Sequence, residues 1–156
     1  MEASTSLTLV QKALQQEQLE NFVDALKLTH LLEMFKSGGP FTVFAPVNEA
    51  FLRIPQRVVV AVEENPDTLT HVIQTHIVRG YIWTQDIVSH PLLISIAGDK
   101  IPVSKAEGVI RVGQSKLIVG DIAAHNGIIH MVDEVLIPAD LQVMKGGATA
   151  SLQAIA

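Results

Sequence analysis

The sequence has no cysteine, and only 4% of its residues are aromatic. The first absence excludes disulfides, zinc–thiolate sites and thiol chemistry, and the second means that a core must be built from Leu, Ile and Val. Charged residues are also sparse at 17%, whereas hydrophobic residues reach 48%. A chain of 156 residues with this composition is expected to fold compactly around a core that needs no disulfide.

Other absences limit the partners. The net charge is −5, and the eleven Lys and Arg residues are scattered singly, so a nucleic-acid partner is not expected. No apolar run reaches the roughly 18 residues of a membrane span, and no transmembrane segment is expected. The start, Met1 to Ser6, has no features of an export signal. Either the protein is made without such a signal or the chain begins after one.

Two stretches have the strongest local pattern. In the first, Phe41 to Phe44 is aromatic and β-branched and predicts a buried strand, which Pro46 ends because it has no N–H. Asn48 is then predicted to cap a short helix through Phe51, and Phe41, Val43, Phe44 and Phe51 are expected to share one core. The second stretch, Asn126 to Pro138, starts with a turn dipeptide that leads into a long apolar strand.

Helices are predicted before and after the first stretch. Ser6 is predicted to cap a helix from Leu7 to about Gln15, and Asn21 a second helix that continues to Phe35. The segment Gly38-Gly39-Pro40 stops that helix. Ile54-Pro55 predicts a helix around residues 58–62, and Asn65-Pro66-Asp67 begins another over residues 69–76.

From Ile77 onward the pattern changes to short apolar segments separated by turn residues. Strands are predicted at residues 77–78, 93–96, 100–103, 109–112 and 116–119. Helices followed by strands predict the α+β class, and the absence of an internal repeat predicts one module. The domain is expected to span residues 1–138, with 139–156 as a C-terminal tail or linker. For residues 144–156 the alternative is a short docked helix.

Six histidines raise the question of a metal or catalytic site. His71 and His76 are five apart, as are His125 and His130, and this spacing does not put either pair on one face of a helix or strand. Structural roles are therefore expected, with no metal and no cofactor. His130 lies in an apolar strand and needs a partner for its ring N–H, for which Asp133 and Asn48 are candidates.

The sequence gives no positive sign of an enzyme. Ser95 and Ser104 lack the glycine setting of a nucleophile elbow. The adjacent pair Asp133-Glu134 is predicted to point to opposite faces of a strand, unlike a paired acid and base. We expect no catalytic residues.

The two stretches resemble the signatures of the fasciclin-type domain, also called FAS1 or beta-Ig-H3 repeat. The first resemblance lies in Thr42-Val43-Phe44-Ala45-Pro46 and Asn48-Glu49-Ala50-Phe51, and the second in Asn126-Gly127-Ile128-Ile129-His130 with Asp133. The likeness runs from about Leu7 to Pro138. It implies a twisted β-sandwich or wedge with short helices packed around its edge, and the matching residues are expected to have structural roles: Thr42, Phe44, Pro46, Asn48, Phe51, Asn126, Gly127, His130 and Asp133.

The resemblance also implies binding residues. In adhesive members of the family a short Asp-Ile motif before the second signature is implicated in integrin binding, and it is similar to Asp121-Ile122 here, although the flanking residues differ. The alternative is that Ile122 is a core residue and Asp121 caps a turn. A second adhesive feature, a Tyr-His pair with branched aliphatic neighbours, corresponds to Thr75-His76 followed by Ile77, with the tyrosine missing.

The function that the resemblance implies is a non-enzymatic module for cell adhesion or surface protein–protein interaction. Its partner is expected to be a cell-surface or matrix protein. The protein is expected to be extracellular, periplasmic or at the cell surface, and to be a monomer. The alternative is binding of an apolar small molecule such as a carotenoid, because some fasciclin-type proteins are carotenoid binders. Candidates for lining such a groove are Ile77, Ile82, Trp83 and Ile87.

Overall fold

The structure is a computed structural model that describes residues 8–37 and 39–138. This part of the chain contains seven α-helices, one 3-10 turn at Glu17–Leu19 and seven β-strands. In chain order they are α1 (Leu9–Leu14), α2 (Glu20–Leu28), α3 (Leu32–Ser37), β1 (Phe41–Pro46), α4 (Asn48–Phe51), α5 (Gln56–Glu64), α6 (Pro66–Gln74), β2 (Ile77–Arg79), α7 (Thr84–Ile87), β3 (Leu92–Ile94), β4 (Lys100–Ala106), β5 (Val109–Val112), β6 (Ser115–Ala124) and β7 (Gly127–Val132).

The strands form one sheet in the order β2-β1-β7-β6-β5-β4-β3. The pair β1–β7 is parallel, with Phe41 opposite Gly127, and the other neighbours are antiparallel. Just after β3, the Ile96 N–H donates to the carbonyl oxygen of Ile77 in β2 at 2.8 Å. The two ends of the strand order therefore meet, and the sheet is nearly closed like a barrel. The predicted α+β class is confirmed.

Two large groups of buried side chains lie on opposite faces of β1. Phe41, Val43 and Ala45 pack in the first core cluster, with residues of α1 to α3, whereas Phe44 packs in a second core cluster with residues of β3, β4 and β5. Every residue of β1 and β7 is buried, which explains why both strands have continuous apolar sequences. The prediction that Phe44 shares one core with Phe41 is wrong, because neighbouring residues of a strand point to opposite faces.

Several predicted elements are confirmed. The strand at Phe41 is present and ends at Pro46, and α5 and α6 follow Pro55 and Asn65 as expected. The Asn65 side chain accepts the Asp67 N–H at 3.0 Å and so caps α6. The five predicted strands after residue 77 are also present, and β6 extends further than predicted, to Ala124.

The predicted helix caps differ from those observed. Ser6 and Leu7 lie outside the described residues, and Thr8 caps α1 in a capping box with Gln11. Asn21 is not a cap, because α2 already begins at Glu20. Asn48 does not cap α4 either, since its side chain accepts the Asn21 N–H at 2.9 Å and donates to the Glu17 carbonyl at 3.0 Å. It thus holds the start of α2 against the end of β1.

The predicted long helix between Asn21 and Phe35 is divided at His30. This residue has a φ of 62°, a left-handed conformation that ends α2 before α3 begins. The short helix α7 was not predicted. Residues 139–156, the predicted tail, lie outside the described residues. Within residues 8–37 and 39–138, none of the helices has the length and apolar character needed to cross a bilayer.

Candidate protein-interaction site

Asp121 lies at an irregularity in the middle of β6. The pairing register with β7 shifts between Val119 and Ile122, and Asp121 has a φ of 61°. This bulge turns the Asp121 side chain outward, while its N–H donates to Nδ1 of His130 at 3.0 Å. The backbone conformation of Asp121 is therefore fixed by a buried side chain on the neighbouring strand.

The Asp121 carboxylate is oriented by Thr84. One carboxylate oxygen accepts the Thr84 N–H and the other accepts the Thr84 hydroxyl, each at 2.8 Å. Because Thr84 is the first residue of α7, Asp121 caps a helix that is distant in sequence. Ile122, the next residue, is half-buried and packs against the first core cluster. Asp121 is thus exposed but rigidly held, and Ile122 anchors the bulge.

His130 connects the bulge to the loop before α7. Its ring stacks on Phe44 with 5.5 Å between centroids, and its Nε2–H donates to the Ile82 carbonyl at 2.7 Å. Burial lowers the pKa of His130, and the hydrogen bond to the Ile82 carbonyl and the nearby Asp121 carboxylate partly oppose that shift. A neutral imidazole with its proton on Nε2 fits both hydrogen bonds.

The predicted partners of His130 are therefore wrong. Asp133 instead accepts the Lys116 N–H through its carboxylate at 2.8 Å, and Asn48 bonds to the start of α2.

The loop before α7 exposes the only tyrosine and the only tryptophan of the chain. Tyr81 is 48% exposed and Trp83 is 36% exposed. The Tyr81 hydroxyl donates to the His125 carbonyl at 2.8 Å, so the loop is fastened at the end of β6 as well as at Asp121. We refer to Tyr81, Trp83, Thr84, Asp121 and Ile122 as the Asp121 surface.

Thr42, in β1, binds the same loop through its side chain. Its hydroxyl donates to the Gly80 carbonyl at 2.7 Å and accepts the Ile82 N–H at 2.9 Å. Tyr81 and Thr84 were not predicted as site residues. The signal that was available is the position of the single Tyr and the single Trp two residues apart, next to a predicted strand.

His76 and Ile77, the other residues expected to bind a partner, are completely buried. The Nδ1–H of His76 donates to the Val72 carbonyl, and its Nε2 accepts the Leu136 N–H, both at 2.8 Å. Desolvation lowers the pKa of His76 to about 4. His76 thus fastens the segment after β7 to the end of α6, and neither residue belongs to the Asp121 surface.

Asn126 and Gly127 join the helices to the sheet. The Asn126 side chain accepts the Leu9 N–H at 2.8 Å and donates to the Phe35 carbonyl at 2.6 Å. A Cβ atom on Gly127 would collide with the Phe41 carbonyl oxygen and with the Leu9 side chain. The second signature therefore fixes where α1, α3 and β1 begin or end.

A second polar cluster lies beside a cleft of about 240 Å³. His71 Nε2 and the Thr75 hydroxyl each lie 2.9 Å from the same carboxylate oxygen of Asp99. Thr75 is buried, and the Ser95 hydroxyl accepts the N–H of Asp99 within a tight turn. These contacts hold the turn between β3 and β4 against α6. Within residues 8–37 and 39–138, no group of three His, Asp or Glu side chains is placed to hold a metal ion.

The residues predicted to line an apolar groove do not form one. Ile77 is buried in the first core cluster and Ile87 in the second, while Trp83 is partly exposed. The space between α1–α3 and the sheet has a volume of only about 10 Å³, about enough for one water molecule. That prediction of the lining is wrong, because both isoleucines serve the packing of the core.

Comparisons with known proteins agree with this architecture. The model of the fasciclin domain family matches residues 17–138. Protein sll1483 of Synechocystis is 34% identical over 86% of this chain and 75% of its own length. The transforming growth factor-beta-induced protein ig-h3 of Sus scrofa is 32% identical over 78% of this chain, which spans only 18% of that protein. A solved structure of a FAS1 domain pair from the insect cell adhesion molecule fasciclin I has a TM-score of 0.72 and 18% identity, covering 88% of this chain and 53% of its own.

Proposed function

The chain belongs to the fasciclin domain family, and on that premise we propose that it is a non-enzymatic protein-interaction module that acts in adhesion. Its partner is a protein of a cell surface or of a matrix, and its place of action is extracellular, periplasmic or at the cell surface. Support for this proposal comes from the family and from sharing its fold with an insect cell adhesion molecule. We propose that it acts as a monomer.

The observation that carries the proposal is the rigid, exposed Asp121. A carboxylate fixed by two hydrogen bonds loses little side-chain entropy when a partner binds, so more of the contact energy remains available. Each of its oxygens still has an unused lone pair for a donor of the partner. Asp121 therefore supplies specificity, and the half-buried Ile122 supplies an aliphatic edge.

Exposed aromatic side chains next to Asp121 add binding energy. Tyr and Trp are enriched among the residues that contribute most to protein interfaces, and Tyr81 and Trp83 are partly exposed on a loop that is bonded at both ends. Such an interface is modest in size. Several copies on one surface strengthen attachment by multivalency.

The test is attachment of cells to surfaces coated with the protein. We expect Asp121→Ala to require about a tenfold higher coating density for half-maximal attachment. Glu107→Ala is a matched control, because Glu107 is also an exposed carboxylate in a left-handed conformation, with a φ of 54°. It is expected to attach cells like the wild type.

A second variant separates charge from local structure. Asp121→Asn keeps an oxygen that accepts the Thr84 N–H but removes the negative charge. If this variant attaches cells weakly but unfolds at the same temperature as the wild type, the loss of attachment is due to binding and not to a change of structure. Equal attachment by the wild type and Asp121→Ala would remove Asp121 from the proposed interface.

A further inference from the structure

The outer side of strands β3 to β6 exposes several large aliphatic side chains. Along these strands, residues alternate between the second core cluster and solvent, as in Leu93, which is buried between exposed neighbours. The exposed large aliphatic residues of these strands are Leu92, Ile94, Val109, Ile118 and Val119, which are 46%, 49%, 37%, 52% and 42% exposed. A sheet face with this many exposed aliphatic residues is typical of a surface that another element covers.

The same side carries three cations. Lys100 lies opposite Ile94, and Arg111 lies directly opposite Lys116 on the neighbouring strand. Like charges in directly opposite positions of a sheet destabilise it. Among the described residues neither Arg111 nor Lys116 has an acidic side chain at ion-pair distance. Arg111 and Lys116 thus remain an unfavourable pair in the isolated chain.

Within residues 92–118 the strands carry no acidic residue, although the carboxylate of Asp133, after β7, accepts the Lys116 backbone N–H at 2.8 Å. Between Leu92 and Ile118 the only carboxylates are Asp99 and Glu107, and both lie in turns outside the strands. We call the outward residues Leu92, Ile94, Lys100, Val109, Arg111, Lys116 and Ile118 the outer sheet face. Its apolar and cationic character contrasts with the net charge of −5 of the whole chain.

We propose that the outer sheet face binds an acidic amphipathic helix of another protein. The aliphatic side chains on both sides of the cations accept the apolar stripe of such a helix, since helices commonly cover a sheet in this way. A Glu or Asp beside the stripe pairs with Arg111 and Lys116 and removes their mutual repulsion. The partner is thus recognised by carboxylates that border aliphatic residues.

Other occupants fit the charges less well. An anionic membrane gains only about 1 kcal/mol per cation, and the net charge of −5 opposes its approach. A nucleic acid requires a larger basic surface. A second copy of this chain would have to offer a different, acidic surface, and such head-to-tail contacts form open chains unless their rotation closes a ring. A short acidic helix of another protein contacts only the outer sheet face, where the local charge is positive, and needs neither a large basic surface nor a self-complementary one.

The test uses a synthetic amphipathic helix of about 18 residues, long enough to be helical, with a Leu stripe bordered by Glu. A peptide with Gln in place of Glu keeps the stripe and removes the charge. Binding is measured by titration calorimetry and located by NMR chemical shifts of the isotope-labelled full chain. We expect saturable binding of the Glu helix, with shifts centred on the outer sheet face, and at least about tenfold weaker binding of the Gln helix.

A second experiment reverses the charge of the two opposed cations. Arg111→Glu with Lys116→Glu is expected to weaken binding of the Glu helix at least about tenfold and to bind a Lys-bordered helix instead. That rescue shows that the variant is folded. Lys27→Glu with Arg79→Glu makes the same change in net charge at exposed positions elsewhere and is expected to leave binding of the Glu helix within about twofold of wild type.

Several results would overturn the proposal. Absence of binding by the Glu helix, equal binding of the Glu and Gln helices, or shifts confined to the Asp121 surface would each do so. Binding to phosphatidylserine vesicles, or self-association in sedimentation, that the Arg111 and Lys116 variant loses would assign the outer sheet face to a membrane or a second copy. The Asp121→Ala variant is expected to bind the Glu helix normally, so this test is independent of the attachment experiment.

Discussion

At the scale of single residues, a few buried or half-buried polar side chains bond to backbone groups of other segments of the chain. His76, His130 and Asn126 each contact two different segments of the chain through short hydrogen bonds. Loss of one of these side chains leaves a buried N–H or carbonyl group without a partner, at a cost of about 1–3 kcal/mol for each group. Their roles are structural, and the exposed Asp121 depends on one of them.

His76 should make stability depend on pH. Its pKa is 6.5 in the unfolded chain and about 4 in the folded protein, so the unfolded state binds a proton more readily between these values. The free energy of unfolding therefore falls as the pH drops from about 6.5 to about 4, by about 3 kcal/mol from His76. Above pH 6.5 the imidazole is neutral in both states, and its contribution is constant. Urea denaturation across this range measures the effect.

His130 contributes in the same direction, because burial also lowers its pKa. The variant His76→Gln should be less stable at neutral pH, yet its stability should fall less steeply with acidification than that of the wild type. An identical pH dependence of the two proteins would show that the buried His76 is not responsible.

Gly127→Ala should destabilise the fold by about 1–3 kcal/mol or more, the range for adding bulk to a packed core. The added methyl group would collide with the Phe41 carbonyl oxygen, where β1 and β7 begin to pair. Gly98→Ala is a useful comparison, because a Cβ there meets no atom within 4 Å but the φ is 92°. It should cost only about 1–2 kcal/mol, from backbone strain. Equal losses in urea denaturation would argue against the steric explanation.

At the scale of elements, the break between α2 and α3 positions the helices on the sheet. The His30 N–H donates to Lys27 and the Leu31 N–H to Leu26, which together form a Schellman motif. A histidine in this left-handed position is less favourable than glycine. His30→Gly should therefore raise the free energy of unfolding by about 1 kcal/mol, whereas His30→Ala should not. Thermal or urea unfolding of the three proteins measures this, and destabilisation by His30→Gly would contradict it.

Some elements could be predicted from the sequence and others could not, for physical reasons. The strand at Phe41 and the helix after Asn65 were predicted because their signals are local: apolar β-branched residues and a capping side chain. The break at His30 was not, since helical spacing of apolar residues continues across it and histidine is not a typical stop signal. Asn48 had the sequence of a cap, but contacts with Asn21 and Glu17, distant in sequence, compete for its side chain.

The candidate site was only partly predictable. Asp121 and Ile122 were named through a family resemblance, and the interactions of Asp121 with Thr84 and His130 depend on how β6, β7 and the loop before α7 come together. Gly120 in this bulge was a local signal, since a glycine within a strand pattern suggests a bulge, but it does not indicate which segments of the chain meet there. Tyr81 was missed for the same reason, because its position beside the end of β6 follows from the sheet order.

At the scale of the whole molecule, the nearly closed sheet separates three regions. The buried pair β1–β7 supports the fold, the Asp121 surface lies at the bulge of β6, and the outer sheet face lies on β3 to β6. Their separation means that exposed residues can change without loss of the core. This arrangement suits a module whose interactions are made by its surface.

The most direct test of the central claim is competition in cell attachment. Soluble wild-type protein, added to cells above a surface coated with the same protein, should inhibit attachment as its concentration rises. Soluble Glu107→Ala should inhibit equally, and soluble Asp121→Ala should need about a tenfold higher concentration. Inhibition by Asp121→Ala that equals the wild type, or no inhibition by the wild type, would contradict the account.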